Sequence, residues 1–147
     1  MRILVLNGPN LNMLGIREPE IYGNQTFSDL IRFIEKSAED AGLDVSCYQS
    51  NHEGDLVDQI QQALGRFDGI VINPGAYTHT SVALLDAVKA VQLPTVEVHL
   101  SDLSVREHFR QISYIRQACV RTIAGQGFEG YRQALLFLKE MKKEGKN

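Results

Sequence analysis

No stretch of this 147-residue sequence approaches the ~20 consecutive apolar residues of a bilayer-spanning helix. Its start does not read as a secretory signal either. Met1-Arg2-Ile3-Leu4-Val5-Leu6 is too short for an apolar signal core and runs at once into Asn7-Gly8-Pro9-Asn10. Cysteine is scarce. Cys47 and Cys119 stand far apart, without redox or zinc-ligand spacing, and read as small residues of buried strands. The expectation is a cytoplasmic protein.

Positive charge is not in excess. The formal net charge is −3 and the pI about 5.8, which argues against general nucleic-acid binding but leaves local arginines free to take a small anion. There is no P-loop, no Gly-x-Gly-x-x-Gly and no Gly-x-Ser-x-Gly elbow. The lysines (Lys36, Lys89, Lys139, Lys142, Lys143 and Lys146) all fall in helical patterns or the tail, so imine chemistry at a strand end is not expected. The four histidines lack metal-ligand spacing. Acid–base chemistry without cofactor or metal is what remains.

What is present is the balance of a globular chain, 44% hydrophobic and 22% charged. Its length suits one domain, 1–147, able to bury roughly two-thirds of its unfolded surface. Short β-rich runs alternate with helical patterns. Strands are predicted at Ile3–Leu6, Leu43–Gln49, Phe67–Ile72, Pro94–Leu100 and Cys119–Ala124. Helices are predicted from Leu30, Phe33, Ile34 and Ala38, with Thr26 or Ser28 as cap; from Leu56 and Ile60; from Val82, Leu85 and Val88, capped by Thr80 or Ser81; and from Tyr131, Leu135, Leu138 and Met141. A further short helix is expected over Val105–Ile112, and a charged, fraying tail over 139–147. The segment 8–25 reads as one loop, long for a compact domain, and is expected to act as a lid. Repeated strand–helix alternation predicts a doubly wound α/β sandwich, flavodoxin-like, with five parallel strands in the order 2-1-3-4-5.

Ligands of such sheets bind beyond the carboxyl ends of the strands. That rule selects Asn7–Asn12 after strand one, Asn73–Ser81 after strand three, and Glu97–Asp102 with Arg106 and Arg110 after strand four. Asn7, Asn10 and Asn73 are turn formers singly, but three at adjacent strand ends point to a site. Glu97 and His99 share one face of a strand, so the carboxylate can orient the imidazole, and a buried polar pair is costly without a purpose. His79 either opens a helix or joins the site. His52 and His108 read as surface residues. Arg106 and Arg110, at i, i+4 spacing, form either a solvated helix face or an anion-binding stripe. In the long loop Arg17 could lower the phenol of Tyr22 toward use as a base; ordinary loop packing is the other reading of Tyr22.

Asn7-Gly-Pro-Asn-Leu-Asn-x-Leu-Gly-x-Arg-x-Pro-x-x-Tyr22-Gly, Gln49-Ser-Asn-His-Glu-Gly54, Asn73-Pro-Gly-Ala-Tyr-Thr-His-Thr80, Glu97-Val-His-Leu-Ser101 and Arg106-Glu-x-Phe-Arg110 stand in order along the chain. Together they closely resemble the type II 3-dehydroquinate dehydratase (type II dehydroquinase) family, from the first strand to the last helix. The resemblance implies anti elimination of water from 3-dehydroquinate to 3-dehydroshikimate, through an enolate, in the shikimate route to chorismate. It implies no imine and no metal. It makes Tyr22 the base at C2, with Arg17 lowering its pKa. It gives Asn10 the water that stabilises the enolate oxygen, and makes His99 the general acid oriented by Glu97. Leu100 and Ser101 would bind the substrate carboxylate through backbone N–H groups. Asn73, His79 and Arg110 would hold ring hydroxyls, with Asp86 entering from a neighbouring subunit and Arg106 near the closed lid. It also implies a dodecamer, a tetramer of trimers. Asp102 stands where family members often carry asparagine, a departure that bears on lid contacts.

A receiver domain would need clustered aspartates where Asn7 and Asn73 stand, and a flavodoxin a Thr/Ser-rich phosphate loop in place of Asn-Gly-Pro-Asn. Another lyase or isomerase on the same scaffold is the remaining alternative.

Overall fold

Strand β1 (Arg2–Asn7) is aliphatic because both its faces are covered; every residue after Arg2 is buried. It pairs in parallel with β2 (Asp44–Gln49) on one side and β3 (Gly69–Asn73) on the other. The sheet continues through β4 (Thr95–His99) to β5 (Arg121–Ala124), all parallel, giving the order β2-β1-β3-β4-β5. The order of strands along the sheet reverses between β1 and β3, and a crevice lies beyond the carboxyl ends of β1, β3 and β4. The computed structural model describes residues 1–16, 18–22 and 24–145, without the side chains of Pro19 and Tyr22.

Alternate residues of the strands feed two cores. Ile3, Val5, Val71, Val96, Val98 and Ile123 pack under α2 (Phe27–Ala41) and α5 (Glu129–Lys143). Leu4, Leu6, Ile70 and Ile72 pack under α3 (Glu53–Gln62) and α4 (Val82–Val91). Thr26 caps α2 in a reciprocal box: its hydroxyl accepts from Asp29 N–H at 3.1 Å, and its own N–H donates to Asp29 Oδ2 at 2.9 Å. Ser81, rather than Thr80, caps α4. Among the described residues no helix is long and apolar enough to cross a membrane.

Four predicted elements differ. The segment 8–25 is not one loop: it holds a 3-10 turn at Leu11–Met13 and a short helix, α1 (Pro19–Tyr22). The stretch Val105–Ile112 is not one helix but two 3-10 turns, Leu103–Val105 and His108–Gln111, separated by an extended Arg106 (φ −92°, ψ 178°). Strand five begins at Arg121; Cys119 follows a 3-10 turn at Ile115–Ala118 and lies outside the sheet. Helix α5 runs on through Lys143, so the first part of the expected tail is ordered helix. Cys47 and Cys119 are half-buried, and burial pushes both thiols up to about 12.

Candidate active site

The loops leaving β1 and β3 are locked face to face. A Cβ on Gly8 would lie 2.4 Å from the carbonyl oxygen of Pro74, and one on Gly75 (φ +61°) 2.8 Å from that of Pro9. Gly8 N–H donates to Asn73 O at 2.8 Å. Two Gly–Pro junctions thus let two backbones touch, as only glycine permits. The contact sets the position of Asn10, whose left-handed backbone (φ 71°) turns the chain into the 3-10 turn that follows. Its N–H donates to Asn51 Oδ1 at 3.0 Å. Gln49, at the end of β2, braces the same loop, donating to Gly8 O at 3.2 Å and Asn12 Oδ1 at 3.3 Å. Tyr77 O–H donates to Asn51 O at 2.9 Å. The sequence marks Gln49 and Asn51 as supports only by their place at the end of β2, and Tyr77 only by its place in the turn after β3.

Glu97 and His99 meet as their spacing predicts. His99 Nε2 lies 2.5 Å from Glu97 Oε2, with Glu97 fully buried and His99 nearly so. The carboxylate takes three further partners. Ser113 Oγ donates to Oε2 at 2.8 Å, Thr122 Oγ1 donates to Oε1 at 3.1 Å, and Arg116 Nε stands 3.5 Å from Oε1. Burial alone would drive this carboxyl up. The hydrogen bond and charge of His99, the Ser113 hydroxyl and the Arg116 guanidinium overcome it and hold Glu97 below its ordinary value. A carboxylate accepting from Nε2–H leaves Nδ1 as the imidazole's other proton site.

Asn73 is buried and held from two sides. Its Nδ2 donates to Tyr131 O–H at 3.1 Å, and its Oδ1 accepts from Gly75 N–H at 3.1 Å. Tyr131, wholly buried in α5, passes its own proton to Asn7 Oδ1 at 2.6 Å. Burial raises this phenol far above its ordinary value, so it stays a neutral donor. Asn7 therefore serves the sheet interior, and Asn73 lines the crevice.

The crevice is lined by Asn10, Asn73, His79, His99, Leu100, Ser101, Arg106 and Arg110. His79 ends a 3-10 turn rather than opening a helix, and its Nδ1 lies 2.6 Å from the Ile112 carbonyl, the geometry of an N–H donor. Burial pushes its imidazole below the ordinary value against that hydrogen bond, with the neighbouring His99 and Arg110 charges adding to the depression. The two arginines do not share a helical stripe, because the backbone between them is extended. Arg106 Nη1 donates to Ser101 Oγ at 3.2 Å, and its Nη2 lies 3.9 Å from Glu18 Oε2 in the segment before α1. Arg110 pairs with Glu107 and lies over the Phe109 ring. The carbonyls of His99 and Leu100 are tied to Gly125 and Gly127 N–H, at 3.3 and 3.1 Å, which fixes the backbone of Leu100 and Ser101. Asp102 caps the next turn, accepting from Ser104 N–H at 3.0 Å and its hydroxyl at 2.6 Å, and lines a shallow cleft with Glu20 and Ile21 of α1.

Other predicted site residues are not gathered there. Asp86 is exposed on α4 and does not line the crevice. Arg17 and the side chain of Tyr22 lie outside the described residues; the backbone of Tyr22 ends α1. His52 and His108 are exposed, as read from the sequence. Among the described residues no group of three His, Cys, Asp or Glu is disposed to hold a metal ion.

A five-stranded flavodoxin-like sheet with an imidazole–carboxylate pair and two arginines at the carboxyl end of β4 defines a class: α/β enzymes that work on small anions by acid–base chemistry. Comparison narrows this. The family model described as dehydroquinase class II matches residues 1–139. A 3-dehydroquinate dehydratase of Corynebacterium glutamicum (strain R) is 57% identical over 142 residues, 97% of this chain and 98% of that protein. One from Clostridium acetobutylicum is 50% identical over 141 residues, 96% and 98% of the two chains. The crystal structure of type II dehydroquinase from Butyrivibrio crossotus superposes with a TM-score of 0.93 at 50% identity, covering 95% of this chain and 97% of that one. The chain belongs to the class II dehydroquinase family.

Proposed function

We propose that this protein is a hydro-lyase that dehydrates 3-dehydroquinate to 3-dehydroshikimate by anti elimination through an enolate, as a step of the shikimate route. The observation that carries the reading is the buried Glu97–His99 pair opening on a crevice of amide, imidazole and guanidinium groups.

The chemistry follows from what these groups can do. A proton α to a ketone is weakly acidic, so the developing enolate needs donors fixed in advance. Asn10, on a loop braced through Gln49 and Asn51, is suited to hold a water against that oxygen. Tyr22 is the base at C2, and Arg17 favours its phenolate. His99 is the general acid for the departing C1 hydroxyl. Glu97 holds its Nε2, so that the donor atom is Nδ1. The backbone N–H groups of Leu100 and Ser101 take the substrate carboxylate, in a turn fixed by Gly125 and Gly127. Asn73, His79 and Arg110 hold ring hydroxyls, and Arg106 links the strand-four end to the lid through Ser101 and Glu18. No step calls for a metal or an organic cofactor. Exposed Asp86 reaches the crevice of a neighbouring copy in a dodecamer built as a tetramer of trimers, and the enzyme works in the cytoplasm.

The test is ultraviolet absorbance with 3-dehydroquinate in the presence of a chelator, wild type beside Tyr22→Phe. The conjugated enone should form with wild type and not with the variant. Activity persisting in Tyr22→Phe moves the base elsewhere, and no product from folded wild type rejects the reaction.

A further inference from the structure

Glu97 is bound on both oxygens, but from two different sides. Its Oε2 meets His99 and Ser113; its Oε1 meets Thr122 and Arg116. Thr122 is the direct neighbour of Glu97 across the β4–β5 ladder, so register alone delivers its hydroxyl. Arg116 comes from the 3-10 turn before β5; its side chain is 47% exposed, yet it reaches a carboxylate that is wholly buried. Neither residue lines the crevice. Both line a separate shallow cleft on the outer side of β5, with Ser104 and Gln111.

We infer that Thr122 and Arg116 are positioning residues that act on His99 through Glu97, clamping the outer carboxylate oxygen so that the inner one is aimed at the imidazole. The inference rests on the dehydratase reading for its kinetic consequence, and on geometry alone for the clamp. A planar carboxylate held at one oxygen can still rotate about its last bond. Held at both, it presents one fixed lone pair to Nε2, and the imidazole plane is fixed with it. Of the two, Arg116 also adds its charge to the His99 and Ser113 contacts that keep Glu97 ionised in a site whose burial opposes charge. The titratable groups facing Glu97 are His99 on its own strand, Arg116 and Cys119 from the segment before β5, and His79 from the segment after β3. Of these, Arg116 alone among the described residues is a permanent cation.

The experiment uses the full chain with Thr122→Val, Arg116→Gln and the two combined, beside Thr122→Ser and Arg116→Lys, which keep the hydroxyl and the charge. Infrared titration follows the carboxyl stretch of Glu97, assigned by its loss in Glu97→Gln. Steady-state kinetics with 3-dehydroquinate follows kcat and KM. In wild type the Glu97 carboxyl titrates below the ordinary value of 4.5. In the double variant it should titrate higher, since the Arg116 charge no longer opposes burial. There kcat should fall roughly tenfold with KM little changed, because a misaimed acid costs the chemical step and not binding. Thr122→Ser and Arg116→Lys should restore both readings.

An unmoved carboxyl band in the double variant overturns the clamp. So does an equal loss of kcat in the conservative and non-conservative variants, which marks a merely structural role. The infrared arm needs no substrate. A folded wild type inactive on 3-dehydroquinate with a shifted band in the variants would reject the reaction and support the clamp.

Discussion

His99 Nε2 lies 2.5 Å from Glu97 Oε2, two residues earlier on the same strand and pointing to the same face. Strand geometry alone guarantees the shared face; the short distance makes the two side chains one acid–base unit.

Replacing Glu97 with glutamine keeps the volume and removes the charge. The amide can present N–H to Nε2 and reverse the direction of the hydrogen bond, so that Nε2 no longer carries a proton and the doubly protonated imidazolium that serves as the acid is no longer stabilised. In Glu97→Gln kcat should fall roughly 10²-fold or more, the usual contribution of a positioned general acid. KM should change little, since Glu97 is not exposed to the crevice. Steady-state absorbance measures both.

The same carboxylate ties stability to pH, and the sign can be worked out. Its folded-state pKa lies below the ordinary 4.5, so the folded state binds its proton less readily than the unfolded chain does. Its stabilisation is therefore full above about 4.5 and is lost as pH falls through the lower, folded value. Asp29, Asp68, Asp102 and Glu107 are depressed as well and add to the same acid loss. Denaturant unfolding of wild type and Glu97→Gln across pH 3–7 isolates the one group. The wild type should lose more stability on acidification than the variant; parallel curves would refute the assignment.

Much of this arrangement is legible in the residues themselves. Aliphatic runs ended by Asn-Gly-Pro and Asn-Pro-Gly fix β1, β3 and the polar loops beyond them, and Glu97-Val-His99 marks the pair. The partners of Glu97 are not legible. Ser113 and Thr122 lie 16 and 25 residues away, and their approach depends on the register of β5 and on the path of an irregular segment. That segment defeats periodicity: Leu103–Ala118 carries short 3-10 turns with no sustained apolar stripe, so the i, i+4 spacing of Arg106 and Arg110 suggests a helix that is not there. Likewise Asn7 and Tyr131, 124 residues apart, offer no local sign that they share a proton.

Tyr131 tests how far the buried support reaches. Its hydroxyl joins Asn7 Oδ1 at 2.6 Å and Asn73 Nδ2 at 3.1 Å, with no exposure to solvent. Tyr131→Phe removes that hydroxyl without changing the packing of the ring. It leaves polar groups of two asparagines unpaired in the interior, at a cost of roughly 1–3 kcal/mol for each. Thermal unfolding at fixed protein concentration should show the loss. Asn73 also loses one of its two anchors, so KM for 3-dehydroquinate should rise in Tyr131→Phe while kcat stays closer to wild type.

Gly8 is the most sensitive position of the loop contact. An added methyl would sit 2.4 Å from Pro74 O and 2.6 Å from Pro74 C, both backbone atoms, with a proline ring stiffening each side. Relief requires the β1 and β3 loops to part, which stretches the 2.8 Å bond from Gly8 N–H to Asn73 O and carries Asn10 away from the crevice. Gly8→Ala should lose roughly 1–3 kcal/mol of stability, the usual cost of overpacking. A displacement of about 1 Å at a catalytic group can cost about 10²-fold in rate, so kcat/KM should fall by that order even where the variant folds. Gly54→Ala is the control. Gly54 lies in α3 with nothing within 4 Å of its Cβ position. There alanine should be neutral or stabilising by up to about 1 kcal/mol, with activity unchanged. If Gly8→Ala matched that control in both melting temperature and kcat/KM, the interlocked loops would not be what positions the site.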